Sequence, residues 1–231
     1  MIERIKELMV HAGASWVLWL LVAVSVVSVG IMLDRARVFW PQKDSLTSLV
    51  RDLHRLLGEG NRKGAEARLT RSPNAESGVV LAGLTQWEHG KAAAQEAMAA
   101  ATGLARARLE RRLIFLGSVG NNAPFVGLLG TVIGVLGAFD ALGQTGLAVG
   151  AAELAPERVM GAIAESLVAT AVGLIVAIPS VLVFNYFHAL SAAAVANAET
   201  LGHVLLTHME SAPQLGLADL DDNYDVPRGG R

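Results

Sequence analysis

The chain has 231 residues, 52% of them hydrophobic and only 17% charged, with a mean hydropathy of +0.44. That is too apolar for an ordinary soluble domain and indicates a membrane protein with a water-exposed part. Cysteine is absent, which excludes disulfides, thiolate nucleophiles and Cys-held metals, while the net charge of −2 carries no information by itself.

In chain order, residues 1–14 open with MIERIKELMV, where Ile2, Ile5 and Met9 share one helical face. This predicts a short amphipathic helix lying on the outer face of a membrane. Residues 15–33, SWVLWLLVAVSVVSVGIML, hold no charge and carry Trp16 and Trp19 near one end. They match the roughly 20 helical residues needed to cross about 30 Å of hydrocarbon. The run is too long for a cleaved signal and no A-x-A site follows it, so it is expected to be a retained anchor.

Residues 34–112 form a helical region by period. Leu46, Leu49, Val50, Leu53, Leu56 and Leu57 follow i, i+3, i+4 spacing. Gly58 and Gly60 close that helix, and RSPN at 71–74 breaks the chain again. From Lys91 the sequence is alanine-rich and free of proline up to the second span at 113–139, which predicts one continuous helix from Lys91 to Phe139. Residues 140–162 are expected to form an outer loop and 163–187 the third span. Residues 188–212 continue that helix, and 213–231 form an acidic, disordered tail.

Fourteen of the 19 basic residues fall in 34–112, whereas the 140–162 loop holds only Arg158. The excess of Lys and Arg places 34–112 in the cytoplasm, the N-terminus outside and the C-terminus inside. The fold expected is therefore all-α: a polytopic membrane protein with three transmembrane helices, the second and third extended into a cytoplasmic helical bundle.

The second span contains PFVGLLGTVIGVLGAF, with four glycines and one threonine. Glycine costs about 1 kcal/mol relative to alanine inside a helix, so it needs a reason. Gly120, Pro124, Gly127, Thr131, Gly134 and Ala138 form one stripe, with bulky Val126, Leu129, Val132, Ile133 and Leu136 opposite. Gly130 and Gly134 also make a G-x-x-x-G pair, which permits close approach of helices. The third span repeats this, with Glu165, Ser166, Ala169, Thr170, Gly173, Ala177 and Ser180 on one side. Gly127, Gly130, Gly134, Gly173 and Pro179 are the close-packing positions. Thr131, Thr170 and Glu165 are the candidate polar lining of an internal cavity. Small stripes also arise from helix packing alone, and a threonine in a membrane helix can bond its own turn. Glu165 argues for more, since an ionisable residue within a span is costly and marks a functional site by default.

These two segments resemble the signatures of the ExbB/TolQ/MotA proton-channel family, and its ExbB/TolQ branch in particular. APFVGLLGTVIGVLGAF (123–139) is similar to the family's second-span motif, and AIAESLVATAVGLIVAIPSVLVFNYF (162–187) to its third. The resemblance implies a stator subunit, not an enzyme, and no cofactor. In such motors five copies surround two copies of a single-span ExbD/TolR-like partner, whose membrane aspartate carries protons. A TonB/TolA-like protein stands beyond that partner. Thr131, Thr170 and Glu165 match the family's polar pore-side positions. The expected place is the bacterial inner membrane. The short 1–14 segment leans towards TolQ and the 140–162 loop towards ExbB, leaving the branch open. A structural membrane scaffold without ion conduction, and a gliding or flagellar-type stator of the same family, are the other readings.

Weaker signals point nowhere else. DLDDNYDV spaces its acids like the start of an EF-hand loop, but Tyr224 replaces the required glycine and Gly230 the glutamate. His203 and His208 diverge on a helix, so no metal site is expected. No phosphate-binding loop motif is present, so the energy source is expected to be an ion gradient. The cluster Arg106, Arg108, Arg111 and Arg112 suits anionic lipid rather than nucleic acid.

Overall fold

The computed structural model describes Gly13 and residues 15–39, 45–145 and 155–221. Among these it holds seven α-helices, a 3-10 turn at Trp87–His89 and no strand. They are α1 (Ser15–Phe39), α2 (Leu46–Gly58), α3 (Arg62–Arg71), α4 (Ala75–Leu84), α5 (Lys91–Glu110), α6 (Leu113–Thr145) and α7 (Ala155–Asp221). The chain divides into two compact units: residues 1–36 with 112–188, and residues 37–111 with 189–231.

The first unit is made of α1, α6 and the first half of α7. Among the described residues three stretches are long and apolar enough to cross a membrane: Ser15–Arg37, Leu113–Asp140 and Val159–Ser211. The valine-rich α1 has the composition of a strand, but in lipid every backbone N–H and C=O must be bonded within the segment, and a lone segment achieves that only as a helix. A small core of Val17, Leu21, Val119, Ala123, Ile133, Val176 and Ala177 joins the three helices. Their outward faces are apolar as well: Val26, Phe125, Ile175 and Leu182 are exposed by 68%, 67%, 69% and 64%. Water would not tolerate so continuous an apolar surface, whereas lipid requires it. The molecule is a membrane protein.

The continuous helix expected from Lys91 to Phe139 is interrupted. Helix α5 stops at Glu110, Arg111 donates its N–H to the Ala107 carbonyl, and Arg112 takes φ +70° before α6 begins at Leu113. Neither glycine nor proline marks the break, and arginine is a good helix former, so propensity could not reveal it. An ion pair lies at the break. Asp34 Oδ2, near the end of α1, stands 2.9 Å from Arg112 Nη1 and 2.9 Å from Arg35 Nη2. The left-handed region costs a side-chain-bearing residue about 1–2 kcal/mol. Arg112→Gly is therefore expected to be more stable than Arg112→Ala by about 1 kcal/mol, because both lose the ion pair and only alanine keeps the strain. Thermal unfolding of the two purified variants measures the difference, and equal stability would mean the strain is absent in solution.

Three other expected boundaries move. Residues 140–145 extend α6 and 155–162 open α7, so the predicted outer loop shortens from both ends. Pro156 lies in the first turn of α7, where a missing N–H leaves no bond unmade. At the far end α7 runs to Asp221 and takes in 213–221 of the predicted tail. An existing helix needs no new nucleus to lengthen through Leu215, Leu217 and Ala218, which explains the extension despite Pro213. The expected helix at 1–10, residues 146–154 and residues 222–231 fall outside the described residues.

The second unit packs α2 to α5 around the later part of α7. Leu49, Leu53 and Leu57 of α2, Ala65 and Leu69 of α3, Val80 and Leu84 of α4, Met98 of α5, and Leu201 and Leu205 of α7 form its core. Asn61 caps α3 by accepting from the Gly64 N–H at 2.9 Å. Arg68 pairs with Asp52 at 2.9 Å and Lys91 with Glu210 at 2.8 Å. This is a soluble-type bundle, apolar inside and polar outside, consistent with the second part implied by the composition.

Candidate functional site: the seam between α6 and α7

The glycines of α6 and α7 meet each other within one chain. A methyl group at Gly127 would stand 2.8 Å from the Ala169 carbonyl oxygen and 2.9 Å from the Thr170 Cα. At Gly173 it would stand 2.7 Å from the Ala123 carbonyl oxygen and 3.2 Å from the Gly127 Cα. At Gly130 it would meet the Ala169 Cβ at 2.7 Å, and at Gly134 it would collide with the Ser166 Cβ. The two backbones touch along this seam, which only residues without a Cβ allow. Pro179 does not belong to it. It is exposed, because it lies two residues past Ala177, about 200° round the helix.

The hydroxyls in and beside the seam are not equivalent. Thr131 donates to the Leu128 carbonyl at 2.7 Å, Ser166 to Ile163 at 2.7 Å and Ser180 to Val176 at 2.7 Å. The Thr170 hydroxyl is buried with no hydrogen-bond partner, the one such side-chain oxygen among the described residues of this unit. A buried polar group left unpaired costs about 1–3 kcal/mol, and in native proteins each such group calls for an explanation.

Glu165 lies elsewhere. Its Oε1 accepts from the Ser15 hydroxyl of α1 at 2.8 Å, in an exposed position. Five residues along a helix turn it roughly 140° away from Thr170. The buried stripe of Ser166, Ala169, Gly173 and Ala177 runs between the two. The sequence placed Thr131, Thr170 and Glu165 around one cavity. Within the chain they do not converge: Thr170 adjoins α6, Thr131 is bonded to its own turn, and Glu165 faces α1. Ser15 went unnoticed because a serine at the start of a helix looks like an ordinary cap, and nothing in the spacing ties it to a residue 150 positions away. Among the described residues no group of three or more His, Asp or Glu is placed to hold a metal ion.

Residues 71–200 match the model of the MotA/TolQ/ExbB proton channel family. The chain belongs to this family. The match covers more than half of the chain and contains the whole seam. The biopolymer transport protein ExbB of Xanthomonas campestris is 42% identical over 98 residues, covering 42% of this chain and 36% of that protein. ExbB of Aquifex aeolicus is 44% identical over 78 residues, 34% of this chain and 49% of that one. The Tol-Pal system protein TolQ of Pseudomonas aeruginosa is 37% identical over 125 residues, 54% of this chain and 47% of that one. The matched region thus spans between about a third and a half of these relatives. The chain is thus a membrane protein of a family described as proton channels. The seam is its shared part, whereas α1, with Ser15, lies outside the matched residues.

Proposed function

We propose that the chain is the stator of an inner-membrane motor that turns proton motive force into mechanical work through a single-span ExbD/TolR-like partner. Five copies form a ring, with the α6–α7 seam towards the axis and α1 towards lipid. The N-terminus is periplasmic and 34–112 cytoplasmic, in line with the 14 basic residues there. A TonB/TolA-like protein, coupled to the partner, carries the work to the outer membrane.

The observation that carries this reading is the buried, partnerless Thr170 hydroxyl. The seam glycines are accounted for by packing alone, and a scaffold would need no more than they provide. A hydroxyl left unpaired beside that packing suits a donor or acceptor that a turn of its side chain would offer to a group outside the chain. Glu165 is the only carboxyl side chain in 113–139 and 163–187, so this chain has no second carboxyl there for a relay. The proton carrier across the middle of the membrane is then the partner's aspartate, which Thr170 would hydrogen-bond as it passes.

Valine has nearly the shape of threonine without the hydroxyl. Thr170→Val is expected to lower proton uptake, in proteoliposomes holding the ring and its copurified partner, by at least about tenfold. The ring should remain pentameric by native mass spectrometry and no less stable, because an unpaired buried hydroxyl has been removed. Thr131→Val should cost less, since its hydroxyl is already bonded to Leu128. Full uptake by Thr170→Val would reduce the seam to packing.

A further inference from the structure

We propose that Ser15 is a positioning residue for Glu165, so that the first span takes part in the proton path instead of serving only as an anchor. This rests on the reading of Glu165 as part of that path. An ionised carboxylate can only accept hydrogen bonds, and the serine hydroxyl has one proton to give. Here it goes to Glu165 Oε1 at 2.8 Å.

The donor sits on a fixed support. Two residues on, Val17 is fully buried in the core shared by the three helices. A methyl at Gly130 would lie 3.3 Å from the Val17 Cγ1. The register of α1 against α6 is thus set by packing and not by the Ser15 bond. Glu165, by contrast, has several rotatable bonds and an exposed position, so nothing but its partner selects one orientation. Ser15 holds the carboxylate on the α1 side of α7, about 140° from Thr170, so that its part in the path is at the outer mouth and not on the axis beside Thr170. Without it the acid would be spread over many rotamers at the mouth of the path.

The test uses the full chain with its copurified single-span partner in proteoliposomes, reading proton uptake and yield of intact ring. Ser15→Ala is expected to lower uptake about threefold with ring yield unchanged, the scale of one exposed hydrogen bond. Ser15→Thr, which keeps the hydroxyl, should restore most of it. In a Glu165→Asp background, where the shorter acid no longer reaches, Ser15→Ala should have no further effect. Wild-type uptake by Ser15→Ala, while Glu165→Gln is inactive, would overturn this proposal and leave the function intact. A Ser15→Thr chain as poor as Ser15→Ala, or a further loss in the Asp background, would overturn it too, since the hydroxyl would then not be acting through Glu165. Normal uptake by Glu165→Gln would remove the proton-path reading itself and this proposal with it.

Discussion

Gly173→Ala is expected to abolish the assembled protein, although alanine is the better helix former. Propensity alone would favour the change by about 1 kcal/mol. The added Cβ, however, would stand 2.7 Å from the Ala123 carbonyl oxygen, 3.2 Å from the Gly127 Cα and 3.4 Å from the Gly127 nitrogen. All three are backbone atoms of α6, which no rotamer change can move aside. Relief requires the helices to part, and that opens every contact from Gly120 to Gly134 together. Overpacking a tight site costs about 1–3 kcal/mol, and more where the backbone must shift, so the steric term wins. Gly137→Ala is the control: nothing lies within 4 Å of its added Cβ, and it should be neutral or slightly stabilising. The measurement is the yield of intact ring from membranes for the two variants in parallel. Equal yields would mean that the seam is not closed in the membrane as it is in the structure.

That contrast shows how far the sequence could be read. The glycine stripe was legible because 3.6-residue periodicity separates small residues from bulky ones with no knowledge of the partner. Gly127, Gly134 and Gly173 lie where a second backbone comes within contact distance, and Gly130 where the Ala169 Cβ does. The stripe did not say what it would meet, and a ring axis and a neighbouring helix of the same chain predict the same pattern. The break at Arg112 was illegible for a different reason. Its left-handed backbone lies beside an ion pair with Asp34, a residue 78 positions away, which no local rule could supply. Pro179, expected among the close-packing positions, is on the exposed side because of its angle from Ala177. Glu165 is unusual in the sequence, but its contact with Ser15 within the chain is not legible there. The 140° between it and Thr170 fits a broad face on a wheel, yet in three dimensions the seam fills that face.

Glu165→Gln is expected to abolish proton uptake, and Glu165→Asp to retain part of it, with the ring assembled in both. Glutamine keeps the size of the side chain and can still accept from the Ser15 hydroxyl, so the contact at 2.8 Å need not be lost. What it removes is the charge and the site for a proton. Aspartate keeps both but withdraws them by one methylene, out of reach of Ser15. If the carboxyl mattered only as a tie between α1 and α7, glutamine would be the mild change and aspartate the severe one. If it gathers protons at the outer mouth, or pairs with a charge on the partner, the order reverses. The exposed position of the residue makes a purely structural role weak from the outset, because a solvent-facing hydrogen bond contributes little to stability. Ring yield should therefore stay near wild type for both variants while uptake separates them. Uptake at wild-type level in the glutamine variant would mean that proton handling lies entirely in the partner, with this chain supplying only the walls.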